Sequence, residues 1–122
     1  MVIAIDEFSS IPIYMQIRDQ IVMGISDGRL REGDQLPTVR GLALEIGINT
    51  MTISKAYQIL KQEGYIVTDR RSGARVAAGK STVLKEESLH LLKRIASEAK
   101  LSGMPQEKFL DICKKAYGGE EV

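Results

Sequence analysis

Residues 38–64 read TVRGLALEIGINTMTISKAYQILKQEG, and the spacing of their apolar side chains decides the fold. Val39, Leu42, Ala43 and Ile46 recur at i, i+3, i+4 and i+7, the buried face of a helix with Thr38 as its N-cap and Gly47 as its stop. After Gly47-Ile48-Asn49 the same spacing begins again in Ile53, Ala56, Tyr57 and Leu60, and runs to Gly64. Two short amphipathic helices joined by a tight glycine-containing turn form a helix-turn-helix, in which small Ala43 lets the helices approach closely. An ordinary αα-hairpin shares this pattern, so the flanking sequence has to discriminate.

Downstream, Tyr65-Ile66-Val67-Thr68 and Ala74-Arg75-Val76-Ala77 have strand character and bracket Asp69-Arg70-Arg71-Ser72-Gly73, a hairpin with a basic tip. Upstream, Pro12 opens a helix whose apolar face runs through Ile13, Ile17, Ile21, Gly24 and Ile25 to Asp27-Gly28. A turn at Gly33-Asp34 and a very short strand at Gln35-Leu36 then lead to Pro37. Helix, short strand, helix, turn, helix, hairpin is the order of a winged helix, whose small sheet pairs Gln35-Leu36 with the hairpin. An isolated αα-hairpin has no reason to carry a wing.

From Thr82 the pattern is helical again, with Leu84, Leu91, Leu92, Ile95, Ala96 and Ala99 on one stripe that stops at Gly103. Pro105 opens a last helix with Phe109, Ile112, Cys113, Ala116 and Tyr117 on one face. A helical hairpin of about forty residues is too small to enclose its own core. It must pack on its own domain or on a second copy, and for the second case the expected dimerisation residues are Leu84, Leu91, Leu92, Ile95, Phe109, Ile112, Ala116 and Tyr117. The expected fold class is mainly α with a small β-sheet: a winged helix over residues 1–80 and a two-helix dimerisation tail over 81–122.

Composition agrees with that plan. A chain of 122 residues, 43% hydrophobic and 27% charged, suits one globular unit with a short appendage and leaves no room for a large substrate domain. Aromatic residues make up 5% and Trp is absent, which favours packed helices over sandwiches. The start, MVIAIDEFSS, has no basic leader, and no run nears the roughly 18 apolar residues of a membrane span. A cytoplasmic protein with no membrane partner is expected. One cysteine excludes an internal disulfide, and lone His90 has no second ligand at metal spacing, so neither metal nor cofactor is expected.

Net charge is only +1, but between Thr50 and Lys80 six cations face two carboxylates. With Ile53, Ala56, Tyr57 and Leu60 inward, helical geometry turns Met51, Ser54, Lys55, Gln58 and Gln62 outward. In helix-turn-helix docking the N-terminal part of the second helix enters the major groove. That makes Asn49, Thr50, Met51, Thr52, Ser54 and Lys55 candidates for DNA contact, joined by Thr38 and Arg40 of the preceding helix. Lys55 can reach guanine O6/N7 or a phosphate, and Met51 a thymine methyl. Asn49 is as well placed to cap the helix as to touch DNA. Arg40 opposes the dipole of its own helix, and a phosphate or base contact supplies the missing reason for it. Arg70 and Arg71 project from the hairpin tip, where guanidinium groups suit phosphates or a minor groove.

Several runs also resemble the GntR family of winged-helix transcription regulators: Pro12-Ile13-Tyr14-x-Gln16-Ile17, Gly33-Asp34-Gln35-Leu36-Pro37-Thr38-Val39-Arg40, Asn49-Thr50-Met51-Thr52-Ile53-Ser54-Lys55-Ala56-Tyr57 and Glu63-Gly64-Tyr65-Ile66. They agree in order and spacing over about two thirds of the chain. The short tail is similar to the YtrA-type branch. The resemblance implies a homodimeric repressor on a palindromic operator, for this branch often of nearby transporter genes, with DNA contacts at Arg40, Asn49, Thr50, Thr52, Ser54, Lys55 and around Ser72-Gly73 of the wing. Two positions depart from the family pattern. Gly41 stands where a Glu commonly completes a capping box with Thr38, and Arg71-Ser72-Gly73-Ala74-Arg75-Val76 replaces the usual glycine-paired wing tip.

The alternative is a winged helix used only for docking to proteins, which would carry an apolar outward face where this one is polar apart from Met51. No paired carboxylates, activated nucleophile or phosphate-cradling loop suggests an enzyme. RNA binding would call for exposed aromatics on the same surface, and it has none. Control by a small-molecule effector at the dimer interface, or by concentration alone, completes the expectation.

Overall fold

The computed structural model describes residues 2–71, 73–79 and 84–122. They divide into two compact units, Met1–Lys80 and Ser81–Val122. The first contains α1 (Ile13–Ser26), α2 (Val39–Ile46), α3 (Thr50–Gln62), β1 (Ile66–Asp69) and β2 (Gly73–Val76); the second contains α4 (Glu86–Leu101) and α5 (Gln106–Tyr117). The five helices and the antiparallel hairpin are those of a mainly α winged helix with a helical hairpin after it, as expected.

The core of the first unit is the meeting of the three predicted apolar faces. Ile17 and Ile21 of α1, Leu42 and Ala43 of α2, and Ile53, Ala56 and Leu60 of α3 are buried together with Leu36, Ile66, Ala74 and Val76. At about 1.5–3 kcal/mol for each large aliphatic side chain removed from water, this cluster is the main force holding the three helices at fixed angles. The turn between α2 and α3 is sharp because Gly47 adopts φ +69°, a left-handed conformation that closes α2 through its N–H to the Ala43 carbonyl. Gly24 fits tightly for a different reason: a Cβ there would lie 3.1 Å from Leu30 Cδ1, where the chain folds back over the end of α1, so a larger residue would push the Leu30 side chain aside by a few tenths of an ångström.

The hairpin pairs Ile66 with Val76, Val67 with Arg75, Thr68 with Ala74 and Asp69 with Gly73. Both strands are displaced from their expected ends by one residue. Tyr65 stands outside β1, although its carbonyl still accepts from Ala77 N–H at 2.9 Å. The expected Gln35-Leu36 strand contracts to a single bridge from Gln35 to Arg75, supported by Leu36 N–H on the Ala74 carbonyl (2.8 Å) and Val76 N–H on the Asp34 carbonyl (2.9 Å). Pro37, lacking an N–H, prevents its extension.

Periodicity gave no hint of how the N-terminal segment is held. Gln16, buried on α1, accepts from Asp6 N–H (2.9 Å) and donates to the carbonyls of Asp6 (2.9 Å) and Ile11 (2.8 Å). One turn on, Gln20 accepts from Ala4 N–H (3.0 Å) and donates to the Ala4 carbonyl (2.6 Å). Two side-chain amides thus imitate a β-ladder and place Ile3 against the core. Between these two glutamines in sequence, Arg18 makes a two-point contact with Glu63 (2.8 and 3.1 Å) and lies 5.6 Å from the centre of the Tyr65 ring, tying the middle of α1 to the end of α3.

In the second unit the charges suit the helix dipoles: Glu86 and Glu87 open α4 and Lys100 closes it, while Glu107 opens α5 and Lys114 and Lys115 close it. No side chain of either helix is buried. Ala96, Ala99, Phe109, Ile112 and Cys113 are half-buried, whereas Leu91, Leu92 and Ile95 remain 46%, 47% and 43% exposed, Ala116 is exposed and Tyr117 is 96% exposed. Leu84 corrects the expected stripe: it precedes α4, which begins only at Glu86, so helical spacing does not align it with Leu91 and Leu92. The expected helix start at Thr82 lies outside the described residues.

Candidate nucleic-acid interface

Three local devices fix the polar face of α3. Asn49 caps the helix, its Oδ1 accepting from Met51 N–H at 2.7 Å, which satisfies a donor that would otherwise have no partner inside the helix. The Nδ2 amide makes no other hydrogen bond among the described residues, so the cap and a contact to a ligand are compatible. Tyr57 points inward and its hydroxyl donates to the Pro37 carbonyl at 2.7 Å, joining α3 to the residue before the α2 cap. Burial, with a smaller contribution from the charge of Glu45, raises the pKa of that hydroxyl well above its ordinary 10.0. Thr38 caps α2, its Oγ1 accepting from Gly41 N–H at 2.9 Å. The half of the capping box that Thr38 supplies is intact without a Glu at position 41.

With α3 so held, Asn49, Thr50, Met51, Ser54, Lys55, Gln58 and Gln62 are all exposed, and Met51 is 77% exposed. Thr52 is half-buried, so its hydroxyl is presented less freely than its neighbours'. Arg40, the second residue of α2, is exposed, as is Thr38. Lys55 does not project straight from the helix: its Nζ lies 4.0 Å from the centre of the Tyr14 ring. Helical geometry turned Lys55 outward correctly, but a four-carbon stem is long enough to lean on the neighbouring helix.

On the wing, Arg70 and Arg71 occupy the turn after β1 and are exposed. Asp69 shapes that turn by accepting from Arg71 N–H at 2.8 Å, and its other oxygen holds Arg75 at 3.1 Å. Arg75 is one of the six cations of the basic stretch, but it is not among the expected DNA contacts because alternation places it within a strand. Gly73 begins β2 with a left-handed φ of +71°. Ser72, also expected at the DNA, lies outside the described residues.

The surface as a whole offers hydroxyls, three amides, one thioether and several cations, a set able to bond phosphates and base edges. Among the described residues no group of three or more His, Cys, Asp or Glu could hold a metal ion, and His90 is exposed on α4. No helix there is long and apolar enough to cross a membrane.

Comparison with known proteins agrees with this geometry. The family model for bacterial regulatory proteins of the gntR family matches residues 13–76. The chain is similar to the HTH-type transcriptional repressor YtrA of Bacillus subtilis, 38% identical over 121 residues that cover 93% of this chain and 90% of that protein. Among solved structures it is similar to YtrA from Sulfolobus acidocaldarius, a GntR-family transcription factor, with 38% identity, 93% and 95% coverage and a TM-score of 0.58. It is similar as well to the DNA-binding domain of AraR in complex with operator ORX1, with 29% identity over 60% of this chain and 87% of that one and a TM-score of 0.53.

Proposed function

The chain belongs to the GntR family of bacterial regulatory proteins and is a DNA-binding transcription regulator of its YtrA-type branch, not an enzyme; from that premise we propose a homodimeric repressor on a palindromic operator. The observation that carries the DNA contact is the exposed face Asn49-Thr50-Met51-Ser54-Lys55 on the first half of α3, set rigidly by the Asn49 cap and the Tyr57 anchor. Thr38, Arg40 and Thr52 extend that contact, and Arg70, Arg71, Ser72 and Gly73 add the wing.

Dimerisation is assigned to residues 81–122. Leu91, Leu92 and Ile95 each keep nearly half their surface in water on a pair of helices with no buried side chain, and a second copy is the partner that would cover them. Phe109, Ile112, Ala116 and Tyr117 complete the proposed interface, with Leu84 at its margin. Two recognition helices about 34 Å apart then meet successive major grooves. Repression follows the similarity to the Bacillus subtilis repressor, and nearby transporter genes are the proposed targets. A small-molecule effector would act at the tail, where a pocket of about 550 Å³ lined by Ala96, Ala99, Met104, Phe109 and Leu110 has the size of a metabolite site.

The test is enrichment of duplexes from random-sequence DNA by the full chain, followed by sedimentation of the complex. An inverted repeat with half-sites one helical turn apart, bound by two chains, is expected. Enriched sequences without twofold symmetry, or a single bound chain, would refute the dimeric operator reading.

A further inference from the structure

The contact between Tyr14 and Lys55 joins a residue outside the DNA-binding set to one inside it. Tyr14 is the second residue of α1, half-buried, with its ring packed against the core cluster. Lys55 is the sixth residue of α3, exposed, with its ammonium 4.0 Å from the ring centre. That distance is well inside the roughly 6 Å over which an aromatic face attracts a cation. The ring cannot move without disturbing the core, so the fixed partner is the tyrosine and the guided one is the lysine.

We infer that Tyr14 is a positioning residue that holds the Lys55 ammonium at the α1 side of the recognition helix, where it serves as a phosphate clamp and not as a base reader. This rests on the reading of α3 as the DNA-contacting helix. A free lysine side chain samples many rotamers, and restraining it before DNA arrives reduces the ordering cost at binding. The direction of restraint matters as much. An ammonium drawn sideways onto α1 is withdrawn from bases facing the middle of α3, while the N–H bonds pointing away from the ring remain free for an anionic oxygen. The ring face attracts the cation without neutralising it, so the full positive charge remains for the phosphate. A carboxylate in the same place would cancel it.

The test uses the full chain with a duplex enriched as above, and compares Tyr14→Phe, Tyr14→Leu, Lys55→Ala and the Tyr14→Leu/Lys55→Ala double variant. Tyr14→Phe keeps the π face and is expected to bind within about twofold of the parent. Tyr14→Leu should weaken binding about two- to fivefold, equally on every sequence tested, the size of one exposed cation–π contact. Lys55→Ala should flatten the log–log salt dependence by about 0.9 for each phosphate the ammonium neutralises in the parent. In the double variant the loss from Tyr14→Leu should disappear. An additive loss would overturn the positioning role while leaving Lys55 at the DNA, and so would a change of preference at one base pair without a change of salt slope. Unchanged binding in Lys55→Ala would overturn both this inference and that part of the DNA-binding face. Because Tyr14→Leu could disturb folding, the unmodified protein supplies a second measurement. The Lys55 Hε protons should be shifted upfield by the ring in free protein, and a random-coil shift there would refute the contact directly.

Discussion

Replacing Tyr57 by Phe removes one oxygen atom from the middle of the regulator and tests how α3 is held. The hydroxyl is buried and donates to the Pro37 carbonyl at 2.7 Å, while Ile53, Ala56 and Leu60 keep α3 packed without it. Loss of one such bond, with the Pro37 carbonyl left half-buried, costs about 1–1.5 kcal/mol, or about 4–12 °C in the melting temperature of a unit this small. DNA affinity at neutral pH, measured well below the melting point, should stay within about twofold, because the α3 surface is unchanged.

The pH dependence of the same variant has a definite sign. Burial first, and the charge of Glu45 second, raise the folded-state pKa of Tyr57 above the 10.0 of an unfolded chain. Below pH 10 both states are protonated and the hydrogen bond contributes fully. Above it the unfolded chain releases the proton first, so the parent loses about 1.4 kcal/mol per pH unit relative to Tyr57→Phe. The stability gap, followed by urea denaturation at successive pH values, should therefore close near pH 11, about one unit above the unfolded pKa. A gap that stays constant from pH 8 to about 11 would show that the hydroxyl ionises as freely in the folded state as in the unfolded one, and the reasoning would fail.

Three other outcomes are expected. Asn49→Ala should cost about 1 kcal/mol of stability by urea denaturation, whereas Asn49→Asp should keep the cap and the stability but lose most DNA affinity by placing a carboxylate at the groove. Glu63→Gln removes the two-point partner of a guanidinium only 20% exposed and should destabilise the first unit by about 2 kcal/mol, again measured in urea. If the proposed dimer forms through these helices, the Leu92→Asp/Ile95→Asp pair should sediment as a monomer with the circular dichroism of the parent, and a surviving dimer would move the interface elsewhere.

Much of this was legible because helix ends carry local chemistry. Pro12, Thr38, Gly47, Asn49 and Gly64 each fix one boundary through φ, a missing N–H or a side-chain cap, none of which depends on distant contacts. Strand ends depend on a partner, and both slipped by a residue. Thr52 shows a finer limit: its helical position is clear, but its exposure depends on what packs beside it. Lys55 was placed on the correct face, yet its contact with Tyr14 is set between two helices and no spacing within either one encodes it. The resemblance pointed to Tyr14 and Gln16 as motif letters; only the fold gives them physical work, one against an ammonium and one against a peptide group.

The Gln16 and Gln20 latches also set a rule of measure. Four residues of helix advance about 6 Å, and two residues of extended chain advance about 6.6–6.8 Å. Glutamines one turn apart therefore fall nearly in step with every second peptide unit of a strand lying antiparallel to the helix, here Asp6 and Ala4. The next rung in that series would be position 24 opposite Val2, and position 24 is the glycine pressed against Leu30. A helix face can thus act as a ruler for an extended chain, with its length set by where the last amide fits. Because each rung is a neutral amide, the salt that strips DNA from the recognition face should leave the N-terminal segment in its place.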